Sequence, residues 1–168
     1  MENLIEVKSP IFSRNSLICL GIIGLVGFLI RFFYFPDGIP LTFDAGGFFW
    51  YANDLSISGT FPVNVNMPNN GWPTFLSIFF SFFNSNNYLD YNDLQRYITI
   101  IISVITIIPV FILCRKFCGS GLSLLGTVFF VFQPRIVENS LMGLTEPLFI
   151  LLELSCLILF LQNNWKLK

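Results

Sequence analysis

"WPTFLSIFFSFF" occupies residues 72–83, and its reading decides how often the chain crosses a membrane. It is strongly apolar, but as a helix it would rise only about 18 Å. That falls short of the ~30 Å hydrocarbon layer. If it crossed, Arg115 and Lys116 would move to the outer side and the bias in basic residues would collapse. We therefore read it as a helix lying in, or dipping into, the outer interface.

The rest of the chain supports a membrane setting. It has 168 residues, 54% hydrophobic and 11% charged, where soluble domains carry about 25% charged residues. Four segments are apolar enough to cross, over about 17–35, 97–113, 119–133 and 141–161. The expectation is an all-α polytopic membrane protein with about four transmembrane helices. A long first outer loop, 36–96, carries the interfacial helices, and loops of that length tend to be functional. The first span follows Lys8 and Arg14 as a signal peptide would, but its apolar run is long and no small-residue cleavage site follows "FFYFP", so it reads as a retained helix.

Charge sets the orientation. With residues 1–16 and 163–168 in the cytoplasm, Lys8, Arg14, Arg115, Lys116, Lys166 and Lys168 lie inside. Only Arg96 and Arg135 lie outside, with Arg31 near the outer end of the first span. This is the positive-inside pattern, and a plasma-membrane location fits it. Asp37, Asp44, Asp54, Asp90, Asp93 and Glu138 fall outside. A net charge of -1 argues against nucleic acid as a partner. The chain has no histidine, which removes His-based triads and His metal sites. Cys19, Cys114, Cys118 and Cys156 sit in or beside apolar runs and read as packing residues.

Within "LTFDAGGFFWYAND", residues 41–54, Asp44 precedes Phe48, Phe49, Trp50 and Tyr51. As structure, Asp44 is a helix cap and the aromatics are an interfacial anchor. As function, Asp44 is a general base or metal ligand at the membrane surface, and a capped carboxylate is also a positioned one. Gly59 suits the C-terminus of that loop helix. Asn92 or Asp93 suits the N-cap of the second span. Arg31 can snorkel, so it costs less than the ~2.5–3.5 kcal/mol of a mid-helix charge. It reads as an interface anchor, or as a partner for an outer acid or a lipid phosphate. Glu146 opens the fourth span beside Pro147, where it could cap the helix. Glu153, in "LLELSC", lies well inside that span, and four helices offer little interior for it. It points to further helices or a partner chain. Asp90, Asp93 and Glu138 read as solvated loop charges.

The order of these features resembles the N-terminal portion of the GT-C glycosyltransferases. The resemblance runs through Arg31, Asp44, the Asn- and Pro-rich turn "NMPNNGWP", the basic pair before "FCG", and "NSLMGLTEPLFILLELSCLILFL". Protein O-mannosyltransferases, oligosaccharyltransferase catalytic subunits and lipid A aminoarabinose transferases belong to that superfamily. The resemblance implies protein or glycan glycosylation from a polyprenyl-phosphate-linked sugar at the outer face, by an inverting displacement. It implies that Asp44 is catalytic, that Arg31 is the basic residue ending the first span, and that Glu146 helps to bind metal or position substrate. The leaving phosphate needs positive charge, from Arg31, Arg135 or a divalent ion. It also implies a divalent cation, Mg or Mn, at Asp44 and Glu146. Many members carry Asp-Glu where this chain has Asp44-Ala45, and they have later helices and a C-terminal domain. A fragment, with a partner chain supplying further helices, is one expectation. The alternatives are a non-catalytic small membrane subunit and a transporter fragment using Glu153.

Overall fold

The computed structural model describes residues 12–63, 67 and 70–163. The expectations for Lys8, Lys166 and Lys168, and most of the "NMPNN" turn, lie outside those residues. The described residues form eight helices and no strand: α1 (Arg14–Phe33), α2 (Phe43–Ser58), α3 (Gly71–Phe82), α4 (Tyr88–Ile105), α5 (Ile107–Phe117), α6 (Ser120–Val131), α7 (Pro134–Met142) and α8 (Glu146–Asn163).

Helix α1 starts where the Ser13 hydroxyl accepts the Ser16 N–H at 3.1 Å. Its 20 residues rise about 30 Å, which matches a hydrocarbon layer. Leu17, Ile22, Leu25, Leu29 and Phe32 face outward, an apolar surface that water would disfavour. Helices α4 and α5 run on from Tyr88 to Phe117 as one 30-residue rod. The rod is interrupted at Thr106, whose hydroxyl bonds back to Ile102 O at 2.7 Å. Pro109, three residues later, has no N–H to give the ladder.

That rod begins earlier than the sequence suggested. Its N-cap is Asn87, whose side chain accepts the Leu89 N–H at 3.1 Å, and not Asn92 or Asp93. Asn92 is buried within the helix. At about 45 Å the rod outruns the hydrocarbon layer, so its polar opening turns extend past the apolar stretch 97–113.

The expected third span is also rearranged. Helix α6 bends by 48° into α7, because Pro134 cannot continue α6 and instead opens α7 at its first position. Helix α7 ends at Gly143, which takes φ 75°, so α8 begins at Glu146 and not at 141. Among the described residues, two helices, α1 and the α4–α5 rod, are long and apolar enough to cross a membrane, and the bent α6–α7 pair makes a third if it is one span. The fourth expected crossing corresponds to α8, which has 18 residues and includes Glu146 and Glu153.

Helices α2 and α3 pack on one another and on α4 around Phe49, Ala52, Trp72, Leu76, Phe80, Ile98 and Ile102. Phe49 meets Phe80 with ring centroids 5.9 Å apart. The aromatic cluster after Asp44 is therefore divided. Phe49 and Tyr51 are core residues, Phe48 is packed against that core, and Trp50 remains largely exposed. Helix α3 buries Trp72, Leu76 and Phe80 and turns Ile78, Phe79 and Phe82 outward, so both of its faces are apolar.

Close helix contact depends on Gly27 in α1. A Cβ there would stand 2.6 Å from Val131 Cγ2, and Val131 is fully buried with one stiff rotamer axis. Gly27→Ala is expected to push α1 and α6 apart and cost about 1–3 kcal/mol. Thermal unfolding in detergent micelles checks this, with Gly21→Ala, which meets nothing within 4 Å, as the harmless control.

Candidate functional site

Helix α2 begins with Thr42 as N-cap, with no side-chain capping bond, and places Asp44 in its first turn. Asp44 is thus not the cap expected from sequence. It still lies where free backbone N–H groups and the helix dipole favour a carboxylate. Phe43, immediately before it, takes φ 50°. A bulky side chain is strained there, at a cost of about 1–2 kcal/mol, and such outliers concentrate at functional sites. Gly59 closes the helix at φ 67°, as expected for a C-terminal cap.

Asp44 is exposed and opens onto a groove of about 710 Å³. The groove runs between the end of α1, the loop that follows it, the start of α2, and α7. Asp44, Arg96 and Glu138 are its charged residues; Ile30, Ile39, Leu141 and Leu144 are among the apolar ones. This volume is in the range of small-molecule sites, which combine apolar walls with a few placed polar groups.

Arg96 fixes the floor of the groove. It donates from Nε to Leu141 O at 3.1 Å and from Nη2 to Pro40 O at 3.3 Å. Nη1 donates to Ile39 O at 2.6 Å and to Asp93 Oδ1 at 3.0 Å. A guanidinium has five N–H groups, so one Nη2 hydrogen has no hydrogen-bond partner among the described residues. Asp93 in turn accepts the Gly38 N–H at 3.2 Å. Asp93 is therefore a structural tie and not a solvated loop charge. Beside Arg96, the fully buried Gln95 donates from Nε2 to Ala45 O at 3.2 Å and to Gly143 O at 2.8 Å. These bonds hold the turn bearing Asp44 against the α7–α8 junction. Helix α4 thus supplies two adjacent side chains that fold the loops around the groove.

The sequence pointed instead to Arg31, Arg135 and Glu146. Arg31 does not snorkel: it is fully buried. Its Nε donates to Ser140 Oγ at 3.0 Å and Nη1 to Gly27 O at 2.9 Å. Nη2 donates to Ser103 Oγ and to Val131 O, both at 3.1 Å. A guanidinium so occupied ties α1, α4, α6 and α7 together, and it is enclosed away from any phosphate at the surface. Arg135 is exposed on α7 but is not part of the groove lining. Glu146 lies in the first turn of α8, with Thr145 O accepting the Phe149 N–H at 3.1 Å. Its Oε2 is buried without a hydrogen-bond partner, in a small cavity with Ser103, Thr106 and Asn139. Asp44 and Glu146 thus line different cavities, so they do not form the expected shared metal pair. Among the described residues no three His, Cys, Asp or Glu side chains gather as a metal site.

Sequence reasoning passed over Arg96 and Glu138. The available signal for Arg96 was its position three residues after Asp93 on one helix, the spacing of an ion pair. Glu138 carried no signal, because only the bend at Pro134 turns α7 along the groove. Comparison with protein-family models, curated proteins and solved structures finds no match to this chain.

Proposed function

We propose that this chain is a membrane glycosyltransferase, or the N-terminal part of one, that moves a sugar from a polyprenyl-phosphate-linked donor to a protein or glycan acceptor at the outer face. One observation carries the reading: Asp44 opens onto a largely apolar groove that also holds Arg96. The apolar wall suits the lipid end of such a donor. The free Nη2 hydrogen of Arg96 suits its phosphate, and exposed Arg135 on α7 adds positive charge nearby.

In this scheme an acceptor hydroxyl or amide attacks the anomeric carbon and gives its proton to an Asp44 carboxylate oxygen. The bond from the anomeric carbon to the phosphate oxygen breaks, and the polyprenyl phosphate leaves with both electrons. Arg96 stabilises the charge that develops on that oxygen. One displacement inverts the anomeric centre. No step runs through a metal ion. The accompanying topology has four crossings, α1, the α4–α5 rod, α6–α7 and α8. Helices α2 and α3 lie in the outer interface of what is proposed to be the plasma membrane, and both termini are cytoplasmic.

The transporter reading draws less from the structure, since Glu153 faces away from the bundle. The test is sugar transfer by the longest natural form in phosphatidylcholine vesicles, supplied with polyprenyl-phosphate-linked hexoses and peptide or glycan acceptors. Labelled acceptor is expected. No transfer with any donor would favour the non-catalytic subunit instead.

A further inference from the structure

Glu153 is the eighth residue of the 18 in α8, near the middle of the helix. It is exposed, and it makes no hydrogen bond or ion pair among the described residues. The buried side of α8 packs against α4 and α5, with Leu148 and Leu151 against the aromatic core. The opposite side presents Phe149, Leu152, Cys156 and Phe160 around Glu153. At 100° per residue, Phe149, Glu153, Cys156 and Phe160 share one stripe. The only polar group at its centre is a carboxylate. Carboxylates within a bilayer almost always face protein and pair with a cation or hydrogen-bond donor.

We infer that this stripe of α8 docks a transmembrane helix of another protein, which presents a lysine or arginine at the depth of Glu153. Charge complementarity selects this occupant. Among the described residues, a second copy would bring no such cation. The buried arginines Arg31 and Arg96 are engaged within the protein, and Arg14, Arg115, Lys116 and Arg135 lie at helix ends. The apolar side chains around Glu153 would supply the packing that excludes lipid, and the ion pair would set register and partner choice. The inference rests on α8 crossing the bilayer and is independent of sugar transfer.

The test uses the full chain in phosphatidylcholine vesicles, with a fluorescent donor on Lys116→Cys in a background whose native cysteines are serine. The probes are acceptor-labelled polyleucine transmembrane helices, one with a central lysine and one without. The lysine probe is expected to associate at least fivefold more than the all-leucine probe. Glu153→Leu should abolish that preference, and Glu153→Asp should keep part of it. Because Glu153 is exposed, both variants should retain wild-type helicity by circular dichroism. Equal association of the two probes, or a preference that survives Glu153→Leu, overturns the inference. So does energy transfer between two copies of the chain that Glu153→Leu removes, since a second copy would then be the occupant. Labelling of Cys156 by a water-soluble maleimide in intact vesicles, on the wild-type chain, separates the two ways to fail. A reactive Cys156 means that α8 is not in the bilayer. A shielded Cys156 without a lysine preference means that the pairing is wrong.

Discussion

Arg31→Leu is expected to lower stability by about 3 kcal/mol or more, the largest effect of any single substitution in the bundle. Four donated hydrogen bonds end on oxygens from four helices: Gly27 O in α1, Ser103 Oγ in α4, Val131 O in α6 and Ser140 Oγ in α7. Leucine fills much of the space but donates nothing. Each acceptor that loses its donor while buried costs about 1–3 kcal/mol, offset in part because Ser140 still donates to Val137 O. Domains have only about 5–15 kcal/mol in total, so a loss of this size is expected to show as a large fall in melting temperature. Arg31→Lys should recover little of it, since three donors on one atom cannot match four divergent acceptors. Thermal unfolding in detergent micelles reads both variants. Wild-type melting of Arg31→Leu would mean that the guanidinium does not hold the helices together. The same reasoning moves Arg31 from the donor-phosphate role to the scaffold.

Asp44→Asn is expected to reduce transfer by 10²- to 10⁴-fold, the usual contribution of a positioned general base. The amide keeps the shape of the side chain and cannot accept the proton. Stability should change little, because Asp44 is exposed and its dipole interaction contributes about 0.3–1 kcal/mol. Activity and folding are thereby separable at this position, as they are not at Arg96, where a substitution also frees Ile39 O, Pro40 O and Leu141 O. Glu138→Gln tests whether the second carboxylate of the groove shares the role. A loss at Asp44 with little change at Glu138 assigns the base. The reverse would move the assignment to α7.

Much of the architecture is legible in the sequence because apolar length is a direct physical signal. The apolar run at 17–35 falls on α1, which ends two residues earlier at Phe33, and that at 97–113 lies within the α4–α5 rod. "WPTFLSIFFSFF" supplies all but the first residue of the 12-residue helix α3, with Phe83 as its C-cap, and this helix packs beside α2. The boundaries were less legible because caps compete locally. Asn87, Asn92 and Asp93 all suit an N-cap, and only the fold chooses Asn87. Bends were hidden for a related reason. Pro134 announces a break, but whether the chain then continues as loop or as α7 depends on packing against α1 and α4. Of the candidate residues, Asp44 lines the groove, whereas Arg31, Arg135 and Glu146 do not. An arginine near a helix end looks the same in sequence whether it snorkels or is enclosed. Four oxygens distant in sequence decide that Arg31 is enclosed. Arg96 becomes a groove residue only because the loop after α1 folds back over α4.

In the proposed topology the Asp44 groove and the Arg115–Lys116 end of the α4–α5 rod lie on opposite sides of one membrane. Both positions have an exposed reporter: Asn70 at the start of α3, and Cys118 just beyond the rod. The measurement is labelling of intact cells with a membrane-impermeant maleimide. It uses chains that carry either Asn70→Cys or native Cys118 as the only cysteine. Asn70→Cys is expected to be labelled from outside, and Cys118 only after permeabilisation. Labelling of both from the same side, or of Cys118 alone from outside, would contradict the membrane topology and remove the groove from the outer face.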